Sequence, residues 1–402
     1  MSRPPLEVAD IIRAAGQKFI ERSRQWLTGQ HCKVLTAIKR CRTAALGGHL
    51  DECSRCGHRA ISYNSCRNRH CPKCQANARV RWIQARSKEL LPTRYVYVVF
   101  TLPRLLAPLA LQNKKLVYSL LFQASAKTLI QVARDPTHLG AKIGFFSVLH
   151  TWNQKMEHHP HVHCVVPAGG LSLDHNSWIH PRYPFFLPVK VLGRVFRGKF
   201  TSALKRAFAQ GKLGFYGQLQ SLSEPKVFYP FVRQLYRHDW VVYCKRPFGG
   251  PEHVLHYLGR YTHRVAISNH RLVSLVDGNV TFRWRDSAHR NKKRRMTLPV
   301  DEFLRRFLLH LLPRGFVRIR NFGFLANCRR AALLPLCFQC LGSVPQPSTA
   351  ADGADTNSVS PMWVCPKCGG PMIIVQYMTP VTILPRSPPG ALVTTYETSL
   401  QA

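Results

Sequence analysis

The run Glu157-His158-His159-Pro160-His161-Val162-His163-Cys164-Val165-Val166 sets a His-apolar-His triplet at the mouth of an apolar stretch. Strand side chains alternate faces, so His161 and His163 share one face while Val162 points into the core. Two imidazoles placed side by side can hold a divalent cation. The competing reading is a histidine-rich loop entering a strand. Two ligands are too few for a cation, and the candidates for a third are, in order, Gln154, His150 and Glu157. His158 and His159 read as flanking loop residues.

A second set lies further along, in Gly250-Pro251-Glu252-His253-Val254-Leu255-His256-Tyr257-Leu258-Gly259-Arg260-Tyr261-Thr262-His263-Arg264. Pro251 suits a first helical position and Glu252 the first turn, where the helix dipole favours an anion. Val254, Leu255, Leu258 and Tyr261 keep helical spacing, so Tyr257 and Tyr261, four apart, share a face. Alone, such a pair reads as packing. Beside a histidine pair it reads as two hydroxyl nucleophiles.

Cysteine supplies the third set. Eight of the 14 cysteines fall in four Cys-x2-Cys pairs, with no secretion-signal pattern, which reads as zinc ligation in a reducing cytosol. Cys53, Cys56, Cys71 and Cys74, with 14 residues between the pairs, fit a tetrahedral four-thiolate site. Interleaved with them, Cys41, His49, Cys66 and His70 offer a second, cross-braced site, or surface positions for the histidines. His58 reads as a loop residue. Cys337, Cys340, Cys365 and Cys368 form a ribbon-like set with a 24-residue gap. Cys164 and Cys244 sit in apolar runs and read as core.

Charge narrows the partner. The chain of 402 residues carries 58 basic and 19 acidic side chains, a formal charge of +39. Such an excess calls for a polyanion, and nucleic acid is the expectation. An anionic membrane surface is the competitor. Against it, the sequence shows no 18-residue apolar stretch, and its basic residues are spread along the chain. The expected location is the cytoplasm, at the nucleoid.

These residues need elements to position them. Periodicity predicts a helix over 8–28, a Cys/His-rich block over 31–75 and a helix over 76–91. Beyond it, strands are expected at 95–100, 143–152, 161–166 and 240–245, with helices at 111–134 and 189–210. The 161–166 strand is expected to pair antiparallel with the one before it. Asp277-Gly278 marks a hairpin between 271–276 and 280–285. Phe282 and Trp284, beside Arg283 and Arg285, offer base stacking or core packing. Residues 290–295 and 314–330 add phosphate-binding charge. Residues 342–361, rich in Ser, Pro, Ala and Asp, read as a disordered excursion, and those after Tyr377 as a loose tail. The pattern is α+β, built on antiparallel strands.

His161-Val162-His163 followed by Tyr257-x3-Tyr261 resembles the two-tyrosine HUH endonucleases. The wider wording, Tyr63-Asn64-Ser65-Cys66-Arg67-Asn68-Arg69-His70-Cys71-Pro72-Lys73-Cys74 and Tyr257-Leu258-Gly259-Arg260-Tyr261-Thr262-His263-Arg264-Val265-Ala266-Ile267-Ser268, is similar to the rolling-circle transposases of the insertion-sequence ninety-one family. The likeness runs from about residue 10 to 330. It implies a split ferredoxin-like antiparallel sheet with the histidine pair on a central strand. It also implies strand cleavage through a 5′-phosphotyrosine on Tyr257 or Tyr261, and rolling-circle-like movement of single-stranded DNA. The catalytic cation would be Mg²⁺ or Mn²⁺, and the structural one Zn²⁺. The expected organisation is a zinc-binding module over 1–91, a nuclease region over 92–330 and a zinc-ribbon-like segment over 331–402. A rolling-circle replication initiator or relaxase shares the nuclease motifs, although the zinc block favours the transposase. A non-enzymatic zinc-finger regulator, its histidines and tyrosines merely packing, is the other alternative.

Overall fold

The amino-terminal periodicity folds as two helices in place of the one expected over 8–28. α1 (Val8–Arg22) buries Ile11, Ile12 and Phe19, and α2 (Gly29–Arg40) buries Val34, Leu35 and Ile38. At the start of α2, His31 Nδ1 accepts from the Thr28 backbone N–H at 2.9 Å. That reciprocal cap is a helix start which a metal-ligand reading of the 31–75 block overlooks. The computed structural model describes residues 4–87, 89–248, 266–286, 289, 291–343 and 364–380. The expected helix carrying Tyr257 and Tyr261 lies outside them. So do most of the excursion at 342–361 and the last residues of the tail.

β1 (Gly48–Cys53) and β2 (Arg59–Tyr63) pair antiparallel, and α3 (Pro72–Ser87) follows them. β3 (Tyr95–Thr101) then leads to α4 (Ala107–Gln112) and α5 (Lys114–Arg134). Asn113 divides the helix expected over 111–134. Its side chain donates to the Leu109 and Gly214 carbonyls and accepts from the Gly214 N–H. β4 (Gly144–Trp152) and β5 (His158–Pro167) pair antiparallel as expected. A short hairpin, β6 (Gly170–Leu171) and β7 (Trp178–Ile179), is followed by α6 (Val189–Ala209), α7 (Pro225–Gln234) and β8 (Val242–Phe248).

β9 (Leu272–Val276) and β10 (Asn279–Asp286) form the expected hairpin, with Asp277 at φ 47° and Gly278 at φ 71° in the turn. β11 (Lys292–Pro299), read from the sequence only as charge, joins β10 as a third strand. The helix Val300–Leu309, β12 (Ile319–Gly323), the helix Asn327–Cys340 and β13 (Met372–Met378) complete the described chain.

One antiparallel sheet carries the histidines, in the order β12-β4-β5-β3-β8, with β5 in the middle. Alternation sorts its faces. Val96, Val98, Phe100, Phe145, Leu149, Val162, Cys164 and Val166 join a core with Leu121 and Phe122 of α5 and Phe196 and Phe200 of α6. Tyr95, Tyr97, Phe146, Val148 and Val165 point the other way, where Trp82 of α3 packs on them. Among the described residues, α5 alone has the length and hydropathy to cross a bilayer, contrary to the expectation of no such stretch. It is instead the buried centre of this core.

A second core joins distant segments. Ile12 and Phe19 of α1, Leu35 and Ile38 of α2, and Cys41 and Cys71 cluster with Trp152, Met156, Phe282, Phe303 and Phe307. Arg69 reinforces this junction, donating to the carbonyls of Phe316 at 2.7 Å and Pro313 at 3.2 Å. At the other end, β13 pairs antiparallel with β1, so the stretch just ahead of the expected tail becomes a strand of the amino-terminal sheet.

Candidate functional site

Register decides what the histidines meet. His161 stands opposite His150 on β4 and Thr101 on β3, and His163 opposite Val148 and Val99. Directly paired residues share a face, so His150 joins His161 and His163 on the side away from α5 and α6. One ligand atom from each of the three lies within 4.8 Å of the others. Gln154, the first candidate for third ligand, lies in the turn beyond both strands, where its carbonyl accepts from Arg271. The second candidate, His150, is the one that meets the pair. Glu157 is exposed and accepts a hydrogen bond from the Asn153 side chain at 2.7 Å.

The surroundings fix these rings. His150 stacks on Trp152 with centroids 4.7 Å apart, and His163 on Tyr97 at 5.2 Å. His161 Nδ1 is 2.7 Å from the carbonyl of His159, so this nitrogen must carry the proton. Nε2 then keeps its lone pair for a cation. Burial pushes His161 down to about 4, so the ring stays neutral at physiological pH and ready to ligate. Three imidazoles converging in a mostly buried site suit Zn²⁺, and take Mn²⁺ more readily than Mg²⁺. Tyr243 of β8, 52% exposed, stands opposite Val99 and therefore on the histidine face. The sequence reading passed over it because its run looked like an ordinary strand. Tyr257 and Tyr261 lie outside the described residues.

The cysteines group differently from their order along the chain. Cys53 and Cys56 do not meet Cys71 and Cys74. One group is Cys41, Cys66, Cys71 and Cys74, and the other is Cys53, Cys56, Cys365 and Cys368. In the first, Cys74 Sγ lies 3.6 Å from Cys41 Sγ and 3.5 Å from Cys66 Sγ. Hydrogen bonds from the Cys41, Cys66 and Cys71 thiols hold Cys74 far below the usual thiol range, a thiolate gathered among donors. His49 and His70 belong to neither group. His49 Nε2 faces Asp51 at 3.4 Å, and His70 is held neutral by burial beside Arg69 and Arg318.

Cys337 and Cys340 also stand apart from Cys365 and Cys368, so the expected carboxy-terminal four-cysteine set does not assemble. Cys337 is buried beside Leu91 and Phe324, and burial pushes its thiol up to about 12. The Cys340 thiol donates to the His175 carbonyl at 3.8 Å. A sequence signal for the true partners existed. Only Cys53-Ser54-Arg55-Cys56-Gly57 and Cys365-Pro366-Lys367-Cys368-Gly369 end in glycine. Both glycines take left-handed φ, 66° and 69°, as a metal-binding knuckle requires. Cys71-Pro72-Lys73-Cys74-Gln75 instead enters α3, a different backbone path.

Phe282 is fully buried and belongs to the core, whereas Trp284 is half-buried against the same cluster with Lys155 Nζ 4.8 Å from its ring centroid. The opposite face of the β10–β11 ribbon is basic. Arg283 stands across from Arg295 and Arg285 across from Lys293, all exposed.

Two family models match the chain. One, described as "Transposase zinc-binding domain", covers residues 11–102, and one described as "Putative transposase" covers residues 144–332. The chain is 51% identical over 394 residues to "Putative transposase y4qJ" of Sinorhizobium fredii, spanning 96% of this chain and 99% of that one. It is 28% identical over 371 residues to "Transposase for insertion sequence element IS801" of Pseudomonas savastanoi pv. phaseolicola, spanning 87% of this chain and 85% of that one. No solved structure matches it.

Proposed function

The chain belongs to the insertion-sequence ninety-one (IS91) family of transposases, and from that premise we propose that it nicks and rejoins single DNA strands through a 5′-phosphotyrosine. The observation that carries this reading is the cluster of His150, His161 and His163 on the central strands of an antiparallel sheet. A structural role alone gives no reason to gather three imidazoles with their ring nitrogens converging.

In this reading Tyr257 or Tyr261 gives up its phenolic proton and its oxygen attacks the scissile phosphorus. The bond from phosphorus to the 3′-oxygen breaks, and that oxygen leaves as a hydroxyl after taking a proton. The tyrosyl ester retains the energy of the broken bond, so the reverse attack reseals a strand without ATP. A free phenol has a pKa near 10, so the hydroxyl requires activation at the phosphate. His150, His161 and His163 would hold Mg²⁺ or Mn²⁺, which supplies charge neutralisation on the phosphate oxygens. Two tyrosines allow one to keep the transferred 5′ end while the other attacks the next phosphate. That supports rolling-circle-like movement of the element's ends as single strands. The net charge of +39 supports a DNA partner.

The test is incubation of the full chain with labelled single-stranded DNA from the element's ends and Mn²⁺. A covalent adduct that survives denaturation is expected, and it should disappear in the Tyr257→Phe, Tyr261→Phe double variant. An adduct persisting in that variant would overturn the assignment of the nucleophile.

A further inference from the structure

We propose that Cys53, Cys56, Cys365 and Cys368 hold one zinc ion that clasps the two ends of the chain together. The zinc-binding region matched over 11–102 is then completed by residues 364–378, far outside that match. This inference stands independently of the strand-cleavage reading, since it concerns the other metal centre.

Geometry comes first. Cys53 Sγ lies 3.4 Å from Cys368 Sγ, and Cys56 Sγ 3.6 Å from Cys365 Sγ. Tetrahedral zinc with bonds of about 2.3 Å sets its sulfurs roughly 3.8 Å apart, so little movement is needed to close the site. The two pairs are also built alike. In each knuckle the N–H two residues on donates to the first sulfur, Arg55 to Cys53 and Lys367 to Cys365, both at 3.4 Å. Each then closes with a glycine N–H on the first cysteine's carbonyl, Gly57 on Cys53 at 3.0 Å and Gly369 on Cys365 at 2.9 Å. No atom outside its own turn approaches the Cβ position of either glycine within 4 Å, so backbone conformation alone requires them.

The strand that follows the second knuckle gives the reason for a metal. β13 lies along β1 from Gly48↔Met378 to Cys53↔Met372, yet it buries little. Ile373, Ile374, Val375 and Tyr377 are 53%, 47%, 45% and 78% exposed. Ladder hydrogen bonds without apolar burial hold an edge strand only marginally. A metal held by both ends would supply the missing anchorage. It would also favour this partition over Cys53 and Cys56 with Cys71 and Cys74, whose sulfurs belong to the other group.

Metal content of the purified full chain tests the proposal. The Cys365→Ser, Cys368→Ser variant is expected to hold one zinc ion per chain fewer than the native sequence, and the Cys337→Ser, Cys340→Ser variant the full native number. An unchanged zinc content in the Cys365→Ser, Cys368→Ser variant would overturn the clasp. A second measurement uses the native sequence alone. After chelation and mild oxidation, peptide mapping should find Cys53 or Cys56 linked to Cys365 or Cys368. Links from Cys53 or Cys56 to Cys71 or Cys74 would overturn it.

Discussion

In the proposed metal site one hydrogen bond would prepare a ligand, since the donation of His161 to the His159 carbonyl leaves its other ring nitrogen with a lone pair to offer a cation. Replacing His150, His161 or His163 with Ala should lower adduct formation on the order of a hundredfold or more, with DNA affinity nearly unchanged. A filter-binding measurement alongside the cleavage assay separates the two effects, and equal losses in both would count against metal ligation. Tyr243 makes a different prediction. If it stacks on a base, Tyr243→Ala should weaken single-strand binding by about tenfold, whereas Tyr243→Phe should leave it unchanged. His310 reports on pH. Its Nε2 lies 3.0 Å from the Met156 carbonyl and its Nδ1 3.2 Å from Thr151 Oγ1, an arrangement suited to a neutral ring, and burial pushes it down to about 3. Below pH 6.5 the unfolded chain takes a proton that the folded chain refuses, so stability falls as pH falls. Between pH 6.5 and 5 this histidine should contribute about 2 kcal/mol of that loss. Urea unfolding of His310→Gln should show the pH dependence reduced by that amount, and an unchanged dependence would refute a neutral His310.

The β10–β11 ribbon pairs like charges directly, Arg283 with Arg295 and Arg285 with Lys293, which costs a few tenths of a kcal/mol or more per pair in the free protein. That cost makes sense on a surface built for a polyanion. Changing all four to Gln should stabilise the free chain slightly and lower the salt slope of DNA binding by about three to four. An unchanged slope would place the phosphate contacts elsewhere. Much of the element-level organisation was legible. Apolar runs at 95–100, 143–152 and 161–166 marked three strands, and period two, a local property, put His161 and His163 on one face. What lay beyond reach depends on contacts distant in sequence. β11 reads as charge because Lys292–Pro299 places its apolar Met296 and Leu298 among basic neighbours. His150 ranked below Gln154 because only the register of β4 on β5 sets it opposite His161. Pair spacing put Cys53 with Cys71, and only the glycine shared by the two knuckles, Gly57 and Gly369, not any count along the chain, points to residue 365 returning to residue 56.

At the scale of the molecule, the amino-terminal helices are not a separate bead. Their apolar faces share a core with the helix Val300–Leu309 and the β9–β11 sheet. Cys41 and Cys71 sit inside that core, fully buried. Stripping metal from their group should therefore raise hydrogen exchange together in 8–41 and 300–311, and a response confined to 41–74 would show the two regions to be uncoupled. Overall DNA affinity should fall on the order of a thousandfold between 50 and 200 mM salt if six or more phosphates are contacted. The clasp has a consequence in time. Cys365 leaves the ribosome 309 residues after Cys56. At roughly 5–20 residues per second, that is an interval of about 15 to 60 s. Throughout it, Cys53 and Cys56 are a half-made site, open to oxidation or to the wrong thiols. A message cut short before codon 365 would leave them so permanently, yielding a chain with its histidine strands complete and its amino-terminal fold never finished.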